Sequence, residues 1–259
     1  MKFAACTVML VYASVRDYQT REVSNLLWVA FCPLGLALNL YEALLLDPSY
    51  PSYLVVFAQS FIVSFSLSVA LFYLGLYGGA DAKAFIVLSL LMPAGPRFVE
   101  PYLGKSLFIP ISVFFCSVAA AALFSLVILF RNLRWRLLRK KPLFEGLERE
   151  PLWKKALVVV SCIKVDMKAF RGPPFQNLAE RITESEGGPV RKLKVSFRVD
   201  EDEEVDEAWV KAQVAEGRLP EEFWVAPTLP LLAFITLGFL FSVFVGDPLM
   251  WMMRTIIGA

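Results

Sequence analysis

The chain has 259 residues, of which 57% are hydrophobic and 22 are phenylalanine, far more apolar side chains than a soluble domain needs. Its formal net charge is +2, but the charged residues are strongly segregated along the chain, so this total indicates little about partners. There is no histidine, which excludes Ser-His-Asp triads, acid–base catalysis by histidine and the commonest ligand of transition metals. Catalysis must therefore rest on carboxylates, lysines or hydroxyls.

The four cysteines form no CxxC pair, and Cys6, Cys32 and Cys116 lie in apolar segments. We interpret these three and Cys162 as small buried hydrophobic residues, and expect neither a zinc site nor a disulfide framework. The sequence predicts no bound metal and no organic cofactor.

Long apolar segments predict a polytopic α-helical membrane protein. A bilayer core of about 30 Å needs roughly 20 apolar residues in each crossing helix, and four windows reach that length. Two shorter apolar runs are followed by polar or proline-containing sequence. We expect six transmembrane helices, at about 3–15 (continuing into 16–21), 24–46, 53–77, 82–92, 107–130 and 227–246.

The first of these segments resembles a secretory signal peptide, with one lysine and an apolar run. The tripeptide 13–15 is a poor cleavage site because it ends in Val15, so we expect a retained helix. Arg16 and Arg21 mark the end of this helix as cytoplasmic under the positive-inside rule.

The later loops agree with this orientation. The loop 47–53 has two tyrosines and no Lys or Arg, which suits an external interface. The segment 131–141 after the fifth span is rich in Arg and Lys, and we expect it to anchor at anionic lipid on the cytoplasmic side and not to bind nucleic acid. Both termini are then expected outside the cytoplasm.

The segment before the last span predicts a small α+β cytosolic domain. We expect strands at 156–165 and 191–199, and a helix at 203–216 that ends at Gly217. The expected inner face of that helix carries Val205, Trp209 and Ala212. The resulting domains are a five-helix membrane domain at 1–130, the soluble domain at 131–223, and the sixth span with an interfacial tail at 224–259.

The stretch 78–85 puts the carboxylate of Asp81 and the ammonium of Lys83 between long apolar segments. Ionisable residues at such a depth indicate a functional site by default. We expect Gly78 and Gly79 to allow a tight or positive-φ turn and the close approach of an extended peptide. The alternative is a polar turn at the membrane surface, in which Asp81 caps the next helix and Lys83 extends to the interface.

The predicted topology brings Asp17 and Asp81 to the same cytoplasmic face, each at a helix end. Two carboxylates that approach one another share a proton, because like charges in close contact cannot both ionise. The ionised member can then act as a general base on water while the protonated member polarises a scissile carbonyl. This is the chemistry of an aspartic protease.

Two motifs carry a family resemblance. Residues 17–25, Asp-Tyr-Gln-Thr-Arg-Glu-Val-Ser-Asn, resemble the first motif of the type IV prepilin peptidases, and 78–81 resemble their GxGD motif. Ala80 at the third position of that motif is similar to the archaeal preflagellin peptidases, as are 129–133 and 222–227. The cysteine-bearing region and the methyltransferase activity of the bacterial enzymes have no counterpart here, and the partner motif of presenilin-type proteases is not apparent.

The resemblance implies a membrane-embedded aspartyl endopeptidase of the cell membrane. Asp17 and Asp81 would be catalytic, and the residues supporting the two motifs would be Gly78, Gly79, Lys83, Arg21 and Asn25. Its substrates would be archaellin or type IV pilin precursors, cut at the cytoplasmic face just before their hydrophobic helix.

Other interpretations stay open at this point. A small transporter or an assembly scaffold also fits several spans with an intramembrane acid, although neither internal repeats nor midplane polar groups are apparent. The acidic run 200–207 either attracts a basic leader or is a solvated helix start. We interpret Asp47 and Asp247 as acids of external loops.

Overall fold

The computed structural model describes residues 1–46, 50–96, 98–185, 188–194 and 207–257. The chain divides into two compact units, one made of Met1–Ala121 and Pro230–Ala259, the other of Ala122–Leu229. The limits that the sequence predicts for the domains, at residues 130 and 223, stay a prediction. Asp47, Val205 and residues 200–206, for which the sequence makes predictions, lie outside the described residues.

The first unit is helical. The first helix continues to Thr20 as expected, and Ser24 caps the second by accepting a hydrogen bond from the Leu26 amide at 3.3 Å. Its helices are α1 (Lys2–Thr20), α2 (Asn25–Tyr41, followed by a π-helical turn at Glu42–Leu46), α3 (Tyr50–Tyr73), α4 (Gly79–Leu91), the start of α5 (Ile109–Arg139), α8 (Leu231–Phe244) and α9 (Pro248–Ile257).

The described residues contain three helices that are long and apolar enough to cross a membrane, at Asn25–Leu44, Ser52–Tyr73 and Ile109–Arg139. Helices α8 and α9 make a fourth if their 52° bend lies within one span. Helix α4 has 13 residues and is therefore about 20 Å long, shorter than a bilayer core. The structure thus supports three to four spans, and six spans stay a prediction.

Helix α4 is the buried centre of this unit. It is apolar on all sides, as expected for an enclosed helix, and α1, α2, α3 and α8 all pack against it. Gly35 of α2 brings the two backbones together, since a Cβ there would lie 2.8 Å from the Leu90 carbonyl. The Asn39 side chain donates to that same carbonyl oxygen at 2.6 Å. These contacts hold the C-terminal end of α4 against α2. Because the helix is short, they also position its first turn, which carries Asp81.

The second unit combines a sheet with short helices. Strand β5 lies between β1 and β2 and is antiparallel to both, so Val225 is opposite Ile163 on one side and Leu178 on the other. Strands β3 and β4 form a separate hairpin. The elements are α6 (Leu152–Ser161), β1 (Ile163–Asp166), β2 (Gln176–Leu178), β3 (Glu180–Ser185), β4 (Gly188–Leu193), α7 (Glu207–Ala215) and β5 (Glu222–Pro227).

The expected strand at 156–165 is wrong over most of its length. Residues up to Ser161 belong to α6, and only Ile163–Asp166 is a strand. A short apolar run does not distinguish a strand from a buried helix, and here Val158 packs against Cys162 and Trp224 from a helix. The second expected strand is confirmed for 191–193, while 195–199 lies outside the described residues.

The expected helix before Gly217 is confirmed for 207–215, but its inner face agrees with the expectation only in part. Trp209 is half-buried and packs against the core, as expected, whereas Ala212 is exposed and Val210 and Gln213 are buried instead. The face is set by Val210, which packs in the cluster that contains Phe223 of β5. Gly217 has φ +72° and ends the helix, as the sequence predicts.

Candidate active site

Asp81 lies in the first turn of α4 and is buried, with 8% of its surface exposed. The backbone N–H of Gly78 donates a hydrogen bond to its Oδ2 at 3.1 Å. Asp81 is therefore a helix cap, as the alternative interpretation expected. It is also a carboxyl group enclosed by protein, so the capping contact holds it in a defined position.

Gly78 and Gly79 do not have positive φ, so that form of the expected turn is wrong, while the expected close approach of a peptide stays a prediction. Gly78 has φ −71° and ψ 161°, and Gly79 begins the helix. The left-handed residue of this connection is Gly75, with φ +69°. What Gly78 supplies is space, because a Cβ there would lie 3.1 Å from Oδ2 of Asp81.

Asp17 lies in the last turn of α1, next to the residue that ends the helix. Arg21 has the left-handed conformation, φ 58°, and its backbone N–H donates to the Asp17 carbonyl oxygen at 3.1 Å. Its guanidinium Nη1 lies 3.9 Å from Asp17 Oδ1. Arg21 thus ends the helix and also brings a positive charge to the carboxylate.

A group of hydroxyls holds α1 against α8 within one turn of Asp17. The hydroxyls of Ser14 and Thr236 are 2.7 Å apart, and Ser14 also donates to the Leu232 carbonyl oxygen at 2.9 Å. Thr236 reaches back to the Leu10 carbonyl oxygen at 3.2 Å. The backbone amide of Leu232 faces the Asp17 carboxyl group. These contacts are not predictable from the sequence, because no spacing pattern joins residues more than 200 positions apart.

Asp17 lies within electrostatic range of Asp81, so that its charge acts on the Asp81 carboxyl group. Tyr77 is also within electrostatic range of Asp81, and its ring stacks on Phe85 at 5.8 Å between centroids. In the sequence, Tyr77 stands out only as the last residue of the predicted span 53–77. Its position directly before the Gly-Gly pair was the available clue.

Lys83 and Asn25, which support different motifs, lie next to one another. The Lys83 ammonium donates a hydrogen bond to Asn25 Oδ1 at 2.8 Å, in an exposed position. This contact joins the first residue of α2 to the first turn of α4. Lys83 therefore joins the N-terminal ends of α2 and α4. Its exposed position is also compatible with a lysine at the membrane interface.

The other singled-out residues have structural roles. Cys6, Cys116 and Cys162 are buried, as we expected, whereas Cys32 is only half-buried, so the expectation is wrong for that residue. Burial raises the pKa of the Cys162 thiol, which keeps it neutral and unreactive. Asp247 is also buried, and its Oδ1 accepts hydrogen bonds from the amides of Leu249 and Met250 at 3.0 and 3.2 Å, so it caps α9.

Comparisons with known proteins show which family the chain resembles in sequence. Residues 4–130 match the sequence model of the type IV leader peptidase family, and residues 154–248 match that of the archaeal peptidase A24 C-terminus, type II. Preflagellin peptidase of Methanococcus voltae is 23% identical over 93% of both chains, and that of Methanococcus maripaludis is 26% identical over 92% of both. Preflagellin peptidase of Methanocaldococcus jannaschii is 24% identical, over 100% of this chain and 99% of its own.

The fold and these matches together define a membrane protein of the peptidase class. More narrowly, the chain belongs to the type IV leader peptidase family, and its two matched regions take up most of its length. The first matched region contains both aspartates and all the residues expected to support them.

Proposed function

We propose that this chain is an aspartyl endopeptidase that removes the short basic leader of archaellin or type IV pilin precursors at the cytoplasmic face of the membrane. The observation that carries the proposal is that Asp17 and Asp81, two carboxyl groups at the ends of separate helices of the matched region, lie within electrostatic range of one another. The names of the three relatives support the choice of precursor.

The chemistry follows from one proton shared by the pair. The ionised carboxylate takes a proton from a water molecule, whose oxygen attacks the scissile carbonyl carbon while the other carboxyl group protonates the carbonyl oxygen. The tetrahedral intermediate then collapses, the C–N bond breaks, and a proton passes to the leaving amine. The substrate must be extended at the cut, because a helix occupies its own carbonyl groups.

The surroundings of the two carboxyl groups differ. Asp81 has the Gly78 amide and the positive end of the α4 dipole, while Asp17 has Arg21 and the Leu232 amide in the first turn of α8. Unequal surroundings keep the two proton affinities apart, which is the condition for one acid and one base. The pair should therefore titrate in two macroscopic steps.

Because the two aspartates belong to different helices, substrate binding can bring them closer. Catalytic contacts are often loose in free enzymes and tighten with substrate. The hydroxyls between α1 and α8 and the hydrogen bond between Lys83 and Asn25 act as positioning contacts for the helices concerned.

The proposed topology has six spans, both termini outside, and residues 131–223 as a cytosolic domain between the five-helix membrane domain 1–130 and the final segment 224–259. The dense Arg and Lys residues of 131–141 support it under the positive-inside rule. The acidic run 200–207 stays a candidate for attracting a basic leader.

The test is cleavage in purified membranes. The protein is incubated with an archaellin precursor and, separately, with a type IV pilin precursor, and mass spectrometry identifies any new N-terminus. We expect cleavage just before the hydrophobic helix of at least one precursor. Two intact precursors beside a folded protein would contradict the proposal and favour a transporter or a scaffold.

A further inference from the structure

Helix α6 of the second unit exposes an apolar face, although it also buries Val158 against the core of the unit. Leu152 and Trp153 are 83% and 58% exposed, and Leu157 is 40% exposed. At 100° per residue these three side chains share one face, on which Ala156 is also exposed. An exposed apolar face of this kind marks an interaction surface.

The lysines of the same helix turn inward. Lys154 Nζ lies 3.1 Å from Glu150 Oε2 and donates to the Leu193 carbonyl oxygen at 3.3 Å. Lys155 donates to the Glu148 carbonyl oxygen at 2.8 Å. Both ammonium groups are therefore bound to their own unit, and the outward face of α6 is left without charge.

The partner is indicated by the way α6 is attached. The side chain of Asn132, on α5, donates to the carbonyl oxygens of Val159 and Cys162 at 2.8 and 2.7 Å, and only 1% of Asn132 is exposed. Asn132 lies two residues beyond the expected end of the fifth span, which is about 3 Å of helix. The headgroup layer is roughly 6 Å thick on each side of a bilayer. Asn132 therefore lies at the depth of the headgroups, and it holds the C-terminal end of α6 at the same depth.

Charge also favours a bilayer. Exposed basic residues follow Asn132 on α5 and just beyond it: Arg134, Arg136, Arg139, Lys140 and Lys141. Basic residues at this level attract anionic headgroups, and tryptophan is enriched where headgroups meet acyl chains.

We propose that α6 lies in the plane of the membrane interface, with Leu152, Trp153 and Leu157 among the acyl chains of an anionic lipid surface. The proposal rests on the crossing of the membrane by α5 and is independent of the peptidase chemistry. It gives the second unit a second attachment to the bilayer besides the α5 connection.

The test uses the full chain in lipid nanodiscs with a photoreactive benzoylphenylalanine at position 153 or 157. The matched control carries the same probe at Ala212, which is exposed on α7. Helix α7 packs in the cluster that contains Phe223, whereas α6 packs in the cluster that contains Trp224. Phe223 and Trp224 are successive residues of β5, so their side chains lie on opposite sides of the sheet. The control position on α7 therefore faces a different direction from α6. After irradiation, intact-mass spectrometry identifies what each probe has captured.

We expect lipid adducts at 153 and 157, about fivefold or more above the yield at 212, as buried apolar anchors of an interfacial helix would give. With anionic lipid in the disc, the yield at 153 should at least double. Capture of a second copy of the chain, or no lipid capture at either position, would overturn the proposal. Capture at 157 alone would overturn the in-plane orientation, and equal yields in neutral discs would overturn the anionic preference.

Discussion

A single methyl group at Gly78 or at Gly79 distinguishes a spatial role of the glycines from a role in chain flexibility. A Cβ at Gly78 would lie 3.1 Å from Asp81 Oδ2, where ordinary contacts begin at 3.4 Å, so the carboxyl group must move by about 0.3 Å. A Cβ at Gly79 would lie 3.8 Å from the Phe72 ring, which is an ordinary contact. Gly78→Ala should therefore displace Asp81, whereas Gly79→Ala should not.

The size of the effect follows from this shift. A misplacement of 1 Å costs about 100-fold in rate, so a third of it costs about fivefold, and a weakened hydrogen bond from the Gly78 amide adds to the loss. We expect Gly78→Ala to lower the single-turnover cleavage rate by roughly five- to tenfold, or about 1 to 1.4 kcal/mol. Gly79→Ala should stay within about twofold and stabilise the helix start by about 0.5 kcal/mol.

The assay is cleavage of a precursor in nanodiscs at saturating enzyme, with thermal unfolding of each variant measured in parallel. Unfolding separates a displaced carboxyl group from a damaged fold. A wild-type rate for Gly78→Ala, or a larger loss for Gly79→Ala than for Gly78→Ala, would refute the assignment of a spatial role to Gly78.

Three further predictions concern contacts around the site and in the second unit. Thr236→Val should destabilise the protein by about 1 kcal/mol in thermal unfolding, because it removes hydroxyl contacts between α1 and α8, and Thr236→Ser should restore them; equal stability of Val and Ser would contradict this. Lys83→Met and Asn25→Ala should show a coupling free energy of about 0.5 kcal/mol in a double-mutant cycle of cleavage rates, a small value because their hydrogen bond is exposed. Additive effects of the two substitutions would show that this hydrogen bond is not a positioning contact. Arg191→Met should cost about 3 kcal/mol in denaturant unfolding, because it leaves the fully buried Glu180 carboxylate without its cation; a change below about 1 kcal/mol would show that the carboxylate is otherwise satisfied.

The helical elements of the first unit were largely predictable from the sequence. Apolar length predicted α2, α3 and α5, and Ser24 predicted where α2 begins. Hydropathy did not predict that other helices surround α4, because a helix of 13 residues can be apolar whether it faces lipid or other helices. The contact of Gly35 with the Leu90 backbone, which brings α2 against α4, has no local sequence pattern.

The two carboxyl groups of the candidate site were predictable from the sequence because few residue types can carry out acid–base chemistry in a chain without histidine. Asp17 and Asp81 stand out because carboxylates are rare beside apolar segments. The hydroxyl contacts of Ser14 and Thr236 and the stacking of Tyr77 depend on tertiary packing between distant segments, so no spacing indicates them.

In the second unit, much of α6 was mistaken for a strand because 156–165 is a short apolar run rich in β-branched residues, which does not distinguish a strand from a helix. Within that run Leu157 is exposed, whereas Val158, Cys162 and Ile163 are buried. The hydrophobic pattern of a helix at a membrane interface is the reverse of that of a helix in a soluble core, and the sequence does not state which environment applies.

The measurement that most directly tests the central claim compares three Asp→Asn variants in one cleavage assay. Asp17→Asn and Asp81→Asn each remove a proposed catalytic carboxylate. The control is Asp247→Asn, which changes another buried aspartate beyond the far end of α8, about 20 Å along that helix from the Leu232 amide. All three should fold, and the first two should lose at least about a thousandfold in rate, as other enzymes do when a residue of the catalytic group is removed. Cleavage retained by either of these two variants, or lost equally in Asp247→Asn, would contradict the account.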